Sequence, residues 1–462
     1  MAERKTIYLC LAHMSEEGYE QKYVKEAFDT NWVVPMGPNV NAFEHDLEEF
    51  VNGNDGTTET GSHGLDRKVV CLSSGTGAVH LALLACGVGP GDEVCVQSFT
   101  FCASSHPITY CGAKPVFIGS EKETWNMDPF LLEEAIKDRI AKTGKKPKAI
   151  VPVALYGMPY RIDEIMEIAN RYEIPVIEDA AEGMGSLYNG QVMGTFGRYG
   201  VLSFNGNKMI TTSGGGALIC RNKEEADQVM WLATQARDSY PYYQHTAIGF
   251  NYRMSNVCAG IGRGQMTVLN AHIAHHKHVQ GLYEQLLQGV EGIKVHKQPD
   301  VKCKMADGRE IPVYDSNFWL CTMTLDPSMK IKGQENAYKE VVKTAVGGAA
   351  GVIHQVDNPT TDCQPNDNVE ALRVWMLNKK VECRPVWKPM HKQPVYITAE
   401  SGEWRVESLP NGIIRQTSDK SVAYTNGVEE EIFKVGMCLP AGPYVSDEDV
   451  RYIVECIKEA IE

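Results

Sequence analysis

A chain of 462 residues is too long for one simple core, so two domains are expected. With 43% hydrophobic and 23% charged residues it reads as a soluble globular protein, and its formal charge of -14 argues against nucleic-acid partners and polybasic membrane contact. No run approaches a membrane span, the N-terminal stretch lacks a signal-peptide core, and the fourteen cysteines form no C-x-x-C pair or zinc-like grouping; the expectation is a reduced, cytoplasmic, enzyme-sized protein without a metal site.

Helical spacing through Tyr19, Tyr23, Val24 and Phe28 predicts a helix over residues 16–30, and a second follows over 42–51. The polar, glycine-rich stretch 53–67 is expected to be a surface loop. A regular alternation then begins. Strands are predicted at 69–72, 92–98, 114–120, 148–157 and 174–181, each separated from the next by a helical segment. The helix after Asp128 carries its own start signals, an N-capping aspartate followed by Pro129. This rhythm means βαβ units and a mostly parallel sheet with helices on both faces.

Two apolar strands are predicted within Tyr199–Cys220, joined by a polar turn that bears Lys208 and then three glycines. Residues 255–290 read as one long helix, with a break allowed, bridging two domains. The remainder is α+β in pattern, with strands near 315–325 and 380–386 and a last helix for which Ser446 and Asp447 supply the start. The expected division is a large α/β domain over 1–260 and a smaller α+β domain over 261–462, with insertions near 346–368 and 400–430.

In an open α/β sheet, ligands bind at the carboxyl ends of the strands, and four features fall there. Ser74-Gly75-Thr76-Gly77 opens a helix with small residues, either an ordinary glycine turn or a phosphate cradle of free N–H groups. Asp179 ends its strand and is either a capping aspartate or a partner for a protonated ring nitrogen. Phe101 is either a core aromatic or a flat face for a planar ring. Lys208, close to Ser203, has no carboxylate neighbour between Gly200 and Ile219. It is either a solvated loop lysine or a desolvated one suited to Schiff-base chemistry. Together the four supply what pyridoxal phosphate requires. No dinucleotide glycine fingerprint follows the first strand, which disfavours an NAD-binding oxidoreductase.

The motifs E-D-A-A-E-G-M-G-S at 178–186, S-F-N-G-N-K at 203–208, T-S-G-G-G at 212–216, G-F-N-Y-R-M-S-N at 249–256, G-P-N-V-N-A-F-E at 37–44 and C-L-P at 438–440 resemble the DegT/DnrJ/EryC1/StrS sugar aminotransferases. The resemblance covers nearly the whole chain outside the insertions. It implies fold type I, as in aspartate aminotransferase, with pyridoxal 5'-phosphate as cofactor. It implies Lys208 as the Schiff-base and proton-shuttling lysine and Asp179 as the acid at the pyridine nitrogen. Gly75, Thr76 and Ser203 would hold the phosphate and Phe101 would stack on the ring. Glu182 stands where many members carry His or Gln near the 3'-oxygen. Asn251 matches a residue that reaches a neighbour's phosphate, which implies a homodimer with shared sites.

R-P-V-W-K-P-M-H at 384–391 resembles the branch acting on UDP-linked 4-keto-6-deoxy-N-acetylhexosamines in bacillosamine-type pathways, with Trp387, Lys388 and His391 near the nucleotide sugar. The resemblance thus implies amino transfer to C4, with L-glutamate as the expected donor. The alternatives are transfer to C3, another nucleotide ketosugar or a keto-inositol, or a cofactor-binding regulatory protein without turnover. His272, His275, His276 and His278 have helical spacing that can bind a metal, but no supporting carboxylate or cysteine pattern, and are expected on a solvated helix face.

Overall fold

The structure is a computed structural model that describes residues 4–53, 64–305, 308–339, 363–397 and 405–462. The expected insertion at 346–368 lies outside the described residues as far as 362, and so does most of the 53–67 loop.

Two N-terminal helices, α1 (Tyr19–Asp29) and α2 (Pro38–Val51), precede the sheet. The main sheet contains β1 (Lys68–Leu72), β2 (Glu93–Gln97), β3 (Lys114–Ile118), β4 (Ala149–Val151), β5 (Ile177–Asp179), β6 (Tyr199–Ser203) and β7 (Gly216–Cys220). Its order is β1-β7-β6-β5-β4-β2-β3, the β5–β4 join being made by parallel bridges Ile150–Val176 and Val153–Asp179. Of these seven strands, β7 alone runs antiparallel to its neighbours. Val94, Cys95, Val96, Val116, Phe117 and Ile118 have no exposed surface, as strands covered on both faces require. Helix α3 (Gly75–Ala85) follows β1, capped by Ser74 Oγ, which accepts from Gly77 N–H.

The long helix expected over 255–290 is two helices, α4 (Asn256–Met266) and α5 (Leu269–Leu286). The glycines of α4 explain its place. A Cβ at Gly262 would strike the Phe43 ring, and one at Gly264 would lie 2.5 Å from Glu20 N, so α1 and α2 pack directly on its backbone. Of the four histidines of α5 expected on a solvated face, His278 is exposed, 2.8 Å from Asp447, and His275 is half-buried. His272 and His276 are buried, their Nδ1 atoms against the carbonyls of Met209 and Phe318, and burial pushes both imidazoles below the usual histidine range. Neutral rings that satisfy backbone groups are a packing device the spacing alone does not reveal.

A second sheet, antiparallel throughout, joins β8 (Ile293–Val295), β9 (Cys321–Leu325) and β10 (Arg384–Pro385) through the later strand Gly436–Leu439. It has its own apolar cluster, to which the last helix, Asp447–Ala460, contributes Val450, Ile453, Val454 and Ile457. Ser446 and Asp449 form a capping box at that helix start.

The segment near 400–430 does not belong to this smaller unit. Its strands β11 (Arg405–Ser408), β12 (Ile414–Thr417) and β13 (Val422–Thr425) extend the main sheet, β13 lying parallel to β3. Polarity disguised them as loop. Arg415 is buried on β12 because Asp138, 2.7 Å away, and Glu407 neutralise it, and Tyr424 also donates to Asp138.

Candidate active site

The strand ends meet around Lys208. A Cβ on Gly216 would lie 2.4 Å from Gly75 N, so β7 passes directly against the start of α3. Ser203 pairs with Gly216 across β6 and β7, and a Cβ on Gly75 would come within 3.1 Å of Ser203 Cβ. The glycines therefore let a hydroxyl and the first N–H groups of α3, those of Gly75 and Thr76, share one small concavity. Those N–H groups precede the first helical hydrogen bond and stand at the positive end of the helix.

Lys208 is not the unpaired lysine that its own stretch implies. Its Nζ lies 3.0 Å from Glu182 Oε1, contributed by the loop after β5, and 4.0 Å from the centroid of the Trp319 ring. Burial pushes the Glu182 carboxyl up, while the charge and hydrogen bond of Lys208 pull it back. Its second oxygen accepts from the backbone N–H of Tyr156 at 2.8 Å. Asp179 is buried at the end of β5, where Oδ2 accepts from Ser104 Oγ at 2.6 Å and Oδ1 from Ala181 N–H at 3.1 Å. Burial raises this carboxyl too, opposed by the Ser104 bond and by Lys208.

Asn317 holds the two sides of the lysine together. Its Nδ2 donates to the carbonyls of Glu182 and Met184, and its Oδ1 accepts from Trp319 N–H. Trp319 Nε1 and Cys10 Sγ both donate to Asn207 O, fixing the residue before the lysine. Ser104, Tyr156, Asn317, Trp319 and Cys10 were all absent from the sequence-derived site. Ser104 lies three residues after Phe101, which the sequence had singled out, and Tyr156, Asn317 and Trp319 lie in or beside predicted strands that gave no sign of a role.

The remaining expected residues divide. Phe101 is 54% exposed and its ring lies 5.4 Å from that of Trp387, so it is not a core aromatic. Trp387 also meets Tyr156 at 5.1 Å and is brought to the site; Lys388 follows it, half-buried. His391 is not. It is 1% exposed, with Nδ1 2.6 Å from Ser98 Oγ and Nε2 2.9 Å from Glu430 Oε1, so it latches the loop instead of facing a ligand. His391, Glu429 and Glu430 are the one group of metal-ligand type among the described residues. Lys392, 3.7 Å from Glu430, supplies a positive partner there. Asn251 is exposed, in a bridge with Thr234, and no hydrogen bond among the described residues links it to Lys208, Glu182 or Asp179.

The arrangement fits pyridoxal phosphate: an amine, a buried carboxylate for the ring nitrogen and an N–H and hydroxyl cradle that a single Cβ would fill. Comparisons agree. The chain is 36% identical to EpsN of Bacillus subtilis, provisionally assigned as a pyridoxal phosphate-dependent aminotransferase, over 98% of this chain and 95% of that protein. It is 32% identical to the GDP-perosamine synthase of Caulobacter vibrioides over 96% of each. In fold it is similar to a DegT DnrJ EryC1 StrS aminotransferase from Brucella abortus, with TM-score 0.73, 22% identity, and coverage of 96% and 95% of the two chains. Residues 14–325 match the DegT/DnrJ/EryC1/StrS aminotransferase profile, and the chain belongs to that family of pyridoxal phosphate-dependent enzymes.

Proposed function

We propose that this enzyme moves an amino group from an amino acid, L-glutamate, to C4 of a UDP-linked 4-keto-6-deoxy-N-acetylhexosamine. The observation that carries the amino-transfer reading is Lys208 Nζ beside Glu182 and close to buried Asp179, at the strand ends that also hold the Gly75–Ser203 cradle. For the sugar, support comes from the R-P-V-W-K-P-M-H loop, which brings Trp387 against Phe101 and Tyr156.

In this reading Gly75, Thr76 and Ser203 hold the cofactor phosphate, Phe101 covers the ring, and Asp179 keeps the ring nitrogen protonated. Bound pyridoxal phosphate supplies an electron sink for the carbon that loses or gains a proton. With the cofactor bound, Lys208 would hold and release that proton at its Nζ. Glu182, whose carboxyl burial raises, would hold the proton it shares with the lysine on the side of the 3'-oxygen. Trp319 and Trp387 keep water from the amine. The two substrates share one site in turn, giving ping-pong kinetics. Asn251, exposed on this chain, is proposed to complete the phosphate site of a second copy in a homodimer. The fourteen free cysteines suit the reducing cytoplasm, and no helix among the described residues is long and apolar enough to cross a membrane.

A GDP-linked ketosugar is the second reading, favoured by the similarity to GDP-perosamine synthase along nearly the full chain. The test converts the holoenzyme to its amine form with L-glutamate, removes the glutamate, and adds either ketosugar. Recovery of the visible absorbance band with a UDP-4-amino-sugar by mass and NMR supports the first reading. Recovery with the GDP-sugar alone replaces it, and an amino group at C3 removes the C4 assignment.

A further inference from the structure

Tyr156 stands where the two halves of the site meet, and it uses both ends of the residue. Its backbone N–H donates to Glu182 Oε2 at 2.8 Å, and the other oxygen of that carboxyl faces Lys208. Its phenol oxygen accepts from the backbone N–H of Trp387 at 2.9 Å. Cys438, on the strand Gly436–Leu439 of the second sheet, lies beside the same hydroxyl. Burial raises the phenol far above the usual tyrosine range, so this hydroxyl keeps its proton.

The backbone that makes this possible is unusual. Tyr156 has φ 54° and ψ 19°, the left-handed region that side-chain-bearing residues avoid. Such a conformation persists only where surrounding contacts determine it. They are present: Gly157 O accepts from Ser186 Oγ and Ser316 Oγ, and a Cβ on Gly157 would lie 1.8 Å from Asn317 Oδ1. The turn is thereby fixed to Asn317, whose amide also ties down Glu182 and Met184.

On the other side, the loop after β10 hangs on few attachments near the site. Trp387 N–H rests on Tyr156, Met390 N–H donates to Ser98 O at 2.8 Å, and the His391 ring is latched on Ser98. Of these hydrogen bonds, the Tyr156 one leads within one residue to a group that touches Lys208; by ring contact, Trp387 also meets Trp319 at 6.3 Å, whose ring lies 4.0 Å from Lys208 Nζ.

We infer that Tyr156 is a positioning residue that couples the Trp387–Lys388 loop to the Glu182–Lys208 pair, so that a nucleotide sugar seated on the loop alters the proton balance at the lysine. The inference rests on the assignment of Lys208 and Glu182 to the reactive end of the cofactor, and not on the identity of the sugar.

The test uses holoenzyme and the nucleotides UDP, GDP and dTDP as unreactive probes, with binding read by tryptophan fluorescence. The pH midpoint of the visible lysine–cofactor band is then titrated with and without the nucleotide that binds. In the wild type, the nucleotide is expected to move that midpoint. In Tyr156→Phe, which keeps the ring and the backbone N–H, nucleotide affinity falls about three- to tenfold, as for loss of one neutral hydrogen bond. The midpoint no longer moves with nucleotide, and the midpoint of the nucleotide-free enzyme stays at its wild-type value. In Glu182→Gln the midpoint shift is also lost, but nucleotide affinity is unchanged.

Equal shifts in wild type and Tyr156→Phe, or no shift in the wild type despite binding, overturn the coupling. So does a displaced midpoint in nucleotide-free Tyr156→Phe, which marks general damage at the site, or binding of none of the three nucleotides. Binding of GDP without UDP sinks the sugar proposed above and leaves this test intact.

Discussion

Lys208 Nζ and Glu182 Oε1 stand 3.0 Å apart, with the carboxyl only 4% exposed. Burial is the larger influence on Glu182 and outweighs the lysine, so its pKa lies above the ordinary 4.5. The folded chain therefore binds this proton more tightly than the unfolded chain. Its contribution to stability is complete below 4.5 and is lost as pH rises through the raised folded value. Cofactor-free Glu182→Gln is expected to show a flatter fall of unfolding free energy over that window than the cofactor-free wild type. Urea unfolding at a series of pH values measures it; parallel curves would contradict the burial argument.

Ser104 acts on Asp179 in the opposite direction. Its 2.6 Å hydrogen bond favours the ionised carboxylate against burial, which raises the pKa. Ser104→Ala should move the acid limb of the kcat profile to higher pH, since Asp179 then holds its proton longer. Asp179→Asn should cost more, about 10²–10³ in kcat, the scale for removing one preorganised charge-stabilising group. A Ser104→Ala profile that scales down without moving its acid limb would mean that the serine serves packing alone.

Gly216 is required by approach distance. A methyl there would meet Gly75 N at 2.4 Å and Ser74 C at 2.5 Å, both backbone atoms that cannot swing aside. Gly216→Ala should destabilise the protein by about 1–3 kcal/mol, the usual cost of overpacking. Because the displaced atoms are those of the proposed phosphate cradle, cofactor affinity should fall as well, by equilibrium dialysis. Wild-type affinity in a destabilised variant would detach the cradle from this contact.

Much of the large sheet was legible because its strands are buried on both faces and so carry unbroken apolar runs such as Val94–Val96 and Pro115–Ile118. Asp179 and Lys208 were legible because strand ends are the only places in such a fold where a carboxylate and an amine converge on one ligand. Other features depend on pairing across the chain. Arg415 and Gln416 lie buried on a sheet strand, the former because Asp138, 277 residues away, and Glu407 neutralise it. The ion pair of Lys208 with Glu182 spans two loops, and local sequence made the lysine look unpaired. His391 carries a family motif, yet its ring faces Ser98 and Glu430, an orientation that spacing cannot convey.

That latch yields the last prediction. Glu429 is fully buried and Glu430 nearly so, and His391 lies between them, 3.8 Å from Glu429 Oε1 and 2.9 Å from Glu430 Oε1. Burial pushes the Glu430 carboxyl up, but its hydrogen bond and charge interaction with His391, together with Lys392, outweigh that and hold it well below the ordinary 4.5. A depressed carboxyl stabilises the fold above its unfolded value, and that contribution is lost as pH falls through the folded one. His391→Leu removes the partner and leaves buried carboxylates, at a cost of about 3–5 kcal/mol. The difference from wild type should be largest above pH 4.5 and should close as the pH falls below it. Chemical unfolding of the two proteins across that range measures the difference. A gap independent of pH would mean that His391 contributes volume and shape rather than charge.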